Sequence, residues 1–184
     1  ESWDGFQRHT LPLRADGRLQ PESFDEVPWQ GVIWATLLLV HNETGVIQDI
    51  GPLARRCEGH GIPLHVDAVK AVGKIDVDFH GLGASTMAVG AHKFHGPRGI
   101  GALLIREGTR LPPAAFGGHQ QSGHRPGTES IALAAGMATA LKVWHDDRED
   151  RTSRIRAMRD RLEAGLSERC DPVVINGSRE HRLP

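Results

Sequence analysis

Two short segments of the sequence place a reactive side chain at the end of an apolar run. Lys93 follows the apolar stretch Ser85–Gly90 and precedes a Gly-Pro turn. A lysine where a strand leaves a sheet is costly to desolvate unless it is paired, neutralised or used covalently. Forming an imine with an aldehyde is one such use. The plainer alternative is that Lys93 reaches solvent, and this segment alone does not decide between the two.

Asp67 ends a second apolar segment, Pro63–Asp67. Its carboxylate could hold the proton of a cofactor ring nitrogen, as the pyridinium of pyridoxal phosphate requires. It could equally cap the helical turn predicted for Ala68–Val72. The position at the end of the strand agrees with both roles.

Two further polar residues stand next to apolar segments. Thr128 follows Gly127 and precedes a long apolar stretch, where its hydroxyl and the first N–H groups of a helix could hold a phosphate or cap that helix. Asn42 follows the apolar run Val32–Val40 and offers an amide to a substrate or a ring oxygen, although alone it is typical of a turn.

The apolar runs predict the elements that would position these side chains. Val32–Val40 is continuous and apolar, which favours a strand buried on both faces. Asp49 can cap a helix that ends at Gly59 and Gly61. Strands alternating with helices predict an α/β fold with a mostly parallel, doubly wound sheet. Its further strands are expected over Pro63–Asp67, Ser85–Gly90 and Gly99–Arg106.

The last third of the chain predicts a change of environment. Ser130–Trp144 is almost entirely apolar or small, so this helix should be buried on all sides, whereas Ser153–Arg169 has one narrow apolar stripe. We therefore expect a partial large domain over residues 1–149. Residues 150–184 would form a connecting helix and the start of a small domain, opened by a strand in residues 172–177.

Composition excludes several classes of function. The chain has 184 residues, a net charge of −1 and a pI near 6.9, which gives no case for nucleic-acid or membrane binding. Its longest apolar run is far below the roughly 20 residues of a membrane span. Cys57 and Cys170 form no CxxC pair, which indicates a reducing, cytoplasmic setting, with organellar targeting left open.

Two other kinds of site are disfavoured by spacing. The 11 histidines and the His65-x-Asp67 pair suggest a metal-dependent hydrolase as an alternative function. However, no two histidines share a helix face at the spacing of metal ligands. Gly96–Gly101 precedes a strand rather than a helix and lacks a Gly-Lys-Ser/Thr motif, so the case for a nucleotide-binding site is weaker than the case for a metal site.

Several motifs in register resemble one family. They are Asn42–Gly45, Asp67–Val69, Ala91–Leu103 and the loop from Gly117 to Glu129. Their order and spacing over residues 35–145 resemble the cysteine desulfurases, of the class V aminotransferase group of fold-type I pyridoxal-phosphate enzymes. The resemblance implies that family's large domain and the beginning of its small α+β domain.

The resemblance also implies roles. Lys93 matches the Schiff-base lysine that shuttles protons, and Asp67 matches the partner of the pyridine nitrogen. His92 and Thr128 match phosphate ligands, with Thr128 reaching the neighbouring subunit of a homodimer, and Asn42 matches a cofactor and substrate contact. The implied reaction converts L-cysteine to L-alanine and leaves a persulfide on a mobile cysteine. Its sulfur would pass to an acceptor scaffold protein for iron–sulfur cluster or thio-cofactor synthesis.

Two positions of the cofactor site depart from the family pattern. Gly90 stands where a serine usually bonds the phosphate, and Lys70 where a glutamine usually donates to the ring's phenolic oxygen. The loop at Gln121-Ser122 also differs from the usual acid and base. Lys70 could bond the phenolate, pair with Asp67 or point to water.

The family's nucleophilic cysteine and substrate-binding arginine would lie beyond Pro184. We therefore expect a central fragment, itself incomplete for catalysis. The alternatives are another class V enzyme (a selenocysteine lyase, a kynureninase-like hydrolase or an epimerase) or a catalytically impaired homologue.

Overall fold

A computed structural model places a four-stranded sheet at the centre of the chain, and it describes residues 2–3, 5–170 and 172–184. The strands are β1 (Ser2–Trp3) and β2 (Phe6–Gln7), which pair only with each other, and β3 (Ala35–Leu38), β4 (Leu64–Asp67), β5 (Thr86–Gly90) and β6 (Gly101–Ile105). The α-helices are α1 (Gly51–Gly59), α2 (Ile131–Asp146) and α3 (Arg148–Arg169), and short 3-10 segments cover Pro21–Glu26, Trp29–Gly31, Ala91–Phe94 and Gln120–Gly123.

The central sheet is mostly parallel, as the sequence predicts. Its order is β3-β4-β5-β6; the first three strands are parallel, and β6 returns antiparallel to β5. Gly90 and Gly101 face each other across the last pair of this return. The strands predicted over 63–67, 85–90 and 99–106 form with ends shifted by no more than two residues.

The first predicted strand is shorter and more open than expected. Only Ala35–Leu38 of the run Val32–Val40 is strand, and Ile33 and Leu38 are exposed. The prediction that this run is buried on both faces is therefore wrong for β3. The physical reason is the sheet order, which leaves β3 at the edge, while β4 and β5 occupy the middle and bury residues such as Val66 and Met87.

Helix α1 forms as its pattern predicts. Leu53, Ala54 and Cys57 share the buried face. The Asp49 carboxylate accepts a hydrogen bond from the Gly51 backbone N–H at 3.1 Å, which satisfies one free donor of the first turn. The helix ends at Gly59.

Helix α2 contradicts the prediction of burial on all sides. None of its residues is buried, and Ile131 is 75% exposed. Its contact with the rest of the fold runs along one side, where a Cβ on Gly136 would lie 3.1 Å from Pro97. Among the described residues no second layer covers its other faces. The apolar composition of this segment predicted a helix correctly, but composition does not determine which neighbouring elements cover the helix.

Helix α3 is a surface helix, as predicted, but the strand expected in residues 172–177 is absent from the described residues there. The chain instead folds back onto the turn after β3. The Leu183 N–H donates to the Gly45 carbonyl and the Ile47 N–H to that of His181, both at 2.9 Å. No helix in the described part of the chain is both long enough and apolar enough to cross a membrane.

Candidate functional site

The carboxyl ends of the three parallel strands bring Asp67 and the turn that carries Lys93 to one edge of the sheet. Asp67 ends β4, opposite Leu38 of β3 on one side and Ala88 of β5 on the other. Lys93 lies five residues beyond Ala88, in the turn that leaves β5. Open α/β sheets bind their ligands at this edge. The amine and the carboxylate therefore emerge from neighbouring strands on the same side of the fold.

A tight turn carries Lys93. Ala91–Phe94 forms a 3-10 segment, and His95 closes it in the left-handed conformation with φ 67°. The buried Phe94 side chain anchors the segment, while Lys93 is half-buried and His92 is exposed. A non-glycine residue with positive φ is uncommon and requires surrounding contacts to hold it. The lysine thus stands on a short, constrained segment.

Asp67 has the capping role that the sequence allows. Its Oδ1 accepts a hydrogen bond from the Val69 N–H at 2.9 Å, which closes the turn after β4. The turn continues as predicted, with the Val72 N–H donating to the Ala68 carbonyl at 3.0 Å. Its other carboxylate oxygen receives no hydrogen bond from the described residues. Capping therefore leaves one oxygen available to a ring nitrogen.

Gly90 has room for the Cβ atom of the serine that the family pattern places there. It is buried, and its backbone is extended, with φ −130° and ψ 116°. A Cβ built on it would lie 3.4 Å from Cγ1 of Val69 and 3.5 Å from Cε1 of His92, both ordinary contacts. The glycine therefore leaves a small space beside His92 that a larger residue would fill.

Three lysines converge near this edge. The Nζ of Lys74 donates a hydrogen bond to the Lys93 carbonyl at 2.8 Å. Burial, and after it the ammonium groups of Lys70 and Lys93, lower the pKa of Lys74 below its usual range. This arrangement concentrates positive charge beside the turn that carries Lys93.

Asn42 and Lys70 line a common cavity of about 550 Å³ between the turn after β3, helix α3 and the end of the chain. Other charged residues on its wall are Glu43, Lys74, Arg159, Glu163 and Arg182. Asp67, Lys93 and Thr128 do not line it. The structure therefore brings Asn42 and Lys70 together and places them beside, rather than around, the edge that carries Lys93.

Thr128 does not open a helix, contrary to the prediction. Helix α2 begins at Ile131 with Ser130 at its N-cap, and Thr128 is exposed three residues earlier. The loop before it is held by the Gly127 N–H, which donates to Oε1 of Gln120 at 3.1 Å. The role of Thr128 as a phosphate ligand in a neighbouring subunit stays a prediction.

Sequence analysis missed Lys74 and the ion pair between Arg182 and Glu163. The two Arg182–Glu163 hydrogen bonds are 2.6 and 2.7 Å long, and only 9% of the Arg182 side chain is exposed. Lys74 left a faint signal, because it stands four residues after Lys70 and directly after the glycine that ends the turn. Nothing in the sequence indicated the ion pair, because Glu163 and Arg182 are 19 residues apart.

No group of three or more His, Cys, Asp or Glu side chains in the described residues could hold a metal ion. The donor set at the sheet edge instead fits pyridoxal phosphate. It offers an amine for the aldehyde, a carboxylate oxygen for the ring nitrogen, and a small open space beside His92 for a phosphate. Fold and site together define a pyridoxal-phosphate protein of the α/β transferase type.

Comparison with known proteins identifies the family. The aminotransferase class-V family matches residues 2–184. A cysteine desulfurase of Gluconacetobacter diazotrophicus is 36% identical over the whole chain, which covers 46% of that protein. An IscS-like cysteine desulfurase of Mycobacterium tuberculosis is 39% identical over 91% of the chain and 43% of its own length. A solved NifS-like protein superposes with a TM-score of 0.91 at 28% identity, over 98% of this chain and 49% of that one.

The chain belongs to the class V aminotransferases. This membership confirms the predicted family, the α/β fold class and pyridoxal phosphate as the cofactor. The chain spans about half the length of the curated relatives it matches.

Proposed function

We propose that this chain is the central part of a cysteine desulfurase, which converts L-cysteine to L-alanine and moves the sulfur to an enzyme cysteine as a persulfide. The observation that carries the proposal is the emergence of Asp67 and Lys93 from adjacent parallel strands at one edge of the sheet. The relatives are named as cysteine desulfurases, which supports cysteine as the substrate.

Each residue at the edge has a task that its chemistry allows. Bound pyridoxal phosphate supplies an electron sink for bonds next to the amino group of an amino acid. Asp67 keeps the ring nitrogen protonated through its free oxygen. Lys93 would hold the cofactor covalently, and its amine would move protons at the substrate. His92, beside the space at Gly90, binds the phosphate, as does Thr128 in the neighbouring subunit.

Lys70 and Asn42 act from the adjoining cavity. Lys70 provides a cation where the family has a neutral amide, so it donates to the phenolic oxygen of the ring or to a substrate carboxylate. Asn42 contacts cofactor and substrate through its amide. Both remain on the wall of a cavity whose cations outnumber its carboxylates and suit the carboxylate group of an amino acid.

The wider setting is part of the same proposal. We propose a homodimer, a sulfur-acceptor scaffold protein that receives the persulfide sulfur for iron–sulfur cluster or thio-cofactor synthesis, and a cytoplasmic location. We also propose the domain boundary near residue 150. Helix α2 ends at Asp146 and α3 begins at Arg148, which supports a change of direction at this point.

The test uses the full protein incubated with pyridoxal phosphate. Lys93→Ala should remove the visible absorbance of lysine-bound cofactor and abolish alanine formation from cysteine. Asp67→Asn keeps an oxygen for the Val69 N–H but loses the charge, so the protein should stay folded while alanine formation falls at least tenfold. Wild-type protein that binds cofactor but forms no alanine would indicate the impaired homologue. Turnover of selenocysteine, kynurenine or another amino acid instead would indicate a different class V enzyme.

A further inference from the structure

The turn after β4 is fastened to the turn that carries Lys93 at two adjacent positions. The Lys74 Nζ donates to the Lys93 carbonyl at 2.8 Å, across 19 residues of sequence. Next to it, Gly73 has φ +77°, and a Cβ built there would lie 2.1 Å from Cβ of Phe94. The backbone at residue 73 therefore sits directly on the segment Ala91–Phe94, and Lys74 is placed to reach it.

The Lys93 carbonyl needs a donor from outside its own turn. The segment Ala91–Phe94 is only four residues long, and the last carbonyls of a helical segment have no partner within it. The Ala91 carbonyl accepts from the N–H groups that follow the segment, including that of Gly96 at 2.9 Å. Lys74 supplies the donor for Lys93, and so fixes the peptide that immediately follows the Cα of the lysine.

This hydrogen bond is maintained against an electrostatic cost. Lys74 is half-buried, and the nearby charges of Lys70 and Lys93 repel it. None of the ion pairs found among the described residues includes Lys74. A neutral side chain would avoid both the free-energy cost of burying a charge and the repulsion by Lys70 and Lys93. A half-buried ammonium without a carboxylate partner is therefore best explained by what it holds.

We propose that Lys74 is a positioning residue, which orients the Lys93 amine for reaction with the cofactor aldehyde by fixing the Lys93 carbonyl. Lys74 acts through Lys93 and makes no contact of its own with the cofactor. The inference rests on the proposed pyridoxal-phosphate site. It gives the basic turn after β4 a function that is distinct from phosphate binding.

The test measures how fast added pyridoxal phosphate attaches to the full apoprotein, by stopped-flow absorbance. Lys74→Met keeps the side chain up to the position of the lysine Cε but loses the donor. Attachment should slow about tenfold, the value of one hydrogen bond from a charged group. Lys74→Arg retains a cationic donor and should recover part of the rate. Lys142→Met, on the exposed face of α2, is the matched control and should leave the rate unchanged.

A second probe separates positioning from direct binding. 4′-Deoxypyridoxine 5′-phosphate has no aldehyde, so its affinity reports the pocket without the bond to Lys93. Its affinity should be the same in Lys74→Met and wild type. If Lys74→Met lowers the affinity for this analogue by the same factor as it slows attachment, Lys74 contacts the cofactor and the proposal is overturned. An unchanged attachment rate in Lys74→Met would also overturn it.

Two further comparisons keep the outcomes distinct. If Lys93→Ala abolishes attachment while Lys74→Met has no effect, the inference fails and the proposed function stands. If Lys93→Ala leaves attachment intact, the proposed site itself fails. Should Lys74→Met not fold, as judged by thermal unfolding, Lys74→Arg and Lys74→Gln carry the test. Both retain a donor, so an attachment rate below one tenth of wild type in both would overturn the proposal.

Discussion

Replacing Gly90 with serine should strengthen cofactor binding, because a Cβ atom fits at this position and would carry the missing hydroxyl. Gly90 has an extended backbone that any residue adopts, so serine introduces no backbone strain. Its Cβ would meet Val69 and His92 at 3.4 Å and 3.5 Å, which requires no movement of either side chain. The added hydroxyl would lie beside His92, the predicted phosphate ligand.

The expected magnitude follows from one hydrogen bond. A hydroxyl that donates to a phosphate is worth on the order of 1 kcal/mol net, which corresponds to a roughly fivefold lower dissociation constant. A glycine inside a strand is also unfavourable by about 0.5–1 kcal/mol, so thermal stability should not fall. The affinity gain and unchanged or slightly raised stability are predicted together.

The assay is a spectroscopic titration of the dialysed full protein with pyridoxal phosphate. Gly59→Ser is the matched control, since nothing lies within 4 Å of its Cβ position and it is at the end of α1. It should leave the dissociation constant unchanged. A folded Gly90→Ser protein with wild-type or weaker affinity would refute the placement of the phosphate beside Gly90 and His92.

Three further predictions concern stability and reactivity. Gly73→Ala should destabilise the protein by about 2–4 kcal/mol in denaturant unfolding, because the new Cβ overlaps Phe94 and alanine disfavours φ +77°. Glu163→Ala should cost about 3 kcal/mol by leaving Arg182 buried without its partner. Since the Arg182 hydrogen bond lowers the pKa of Glu163, the stabilisation from this pair is present above the usual glutamate pKa and is lost as pH falls through the lowered value. Burial raises the pKa of Cys57 to about 11, so about one in a thousand of its thiols is ionised at pH 8. Iodoacetamide should therefore label the exposed Cys170 in the folded protein and Cys57 only after unfolding. Mass spectrometry of the labelled protein checks this.

The local pattern of the sequence determined the elements and their order. Runs of apolar residues located β4, β5 and β6 within two residues, and capping residues and glycines located both ends of α1. The spacing of Asp67 and Lys93 relative to those strands determined that both stand at the carboxyl edge. Such features were predictable because strand and helix periods, and the preferences of end residues, act over a few positions.

Only the tertiary structure decided what surrounds each element. It placed β3 at the sheet edge and left α2 exposed, although both segments are as apolar as buried ones. It also joined Lys74 to Lys93 and Glu163 to Arg182, pairs that are each 19 residues apart. Burial and long-range hydrogen bonds depend on which surfaces of the fold come into contact. The residue type determines only which interactions a side chain can make with the neighbours that the fold provides.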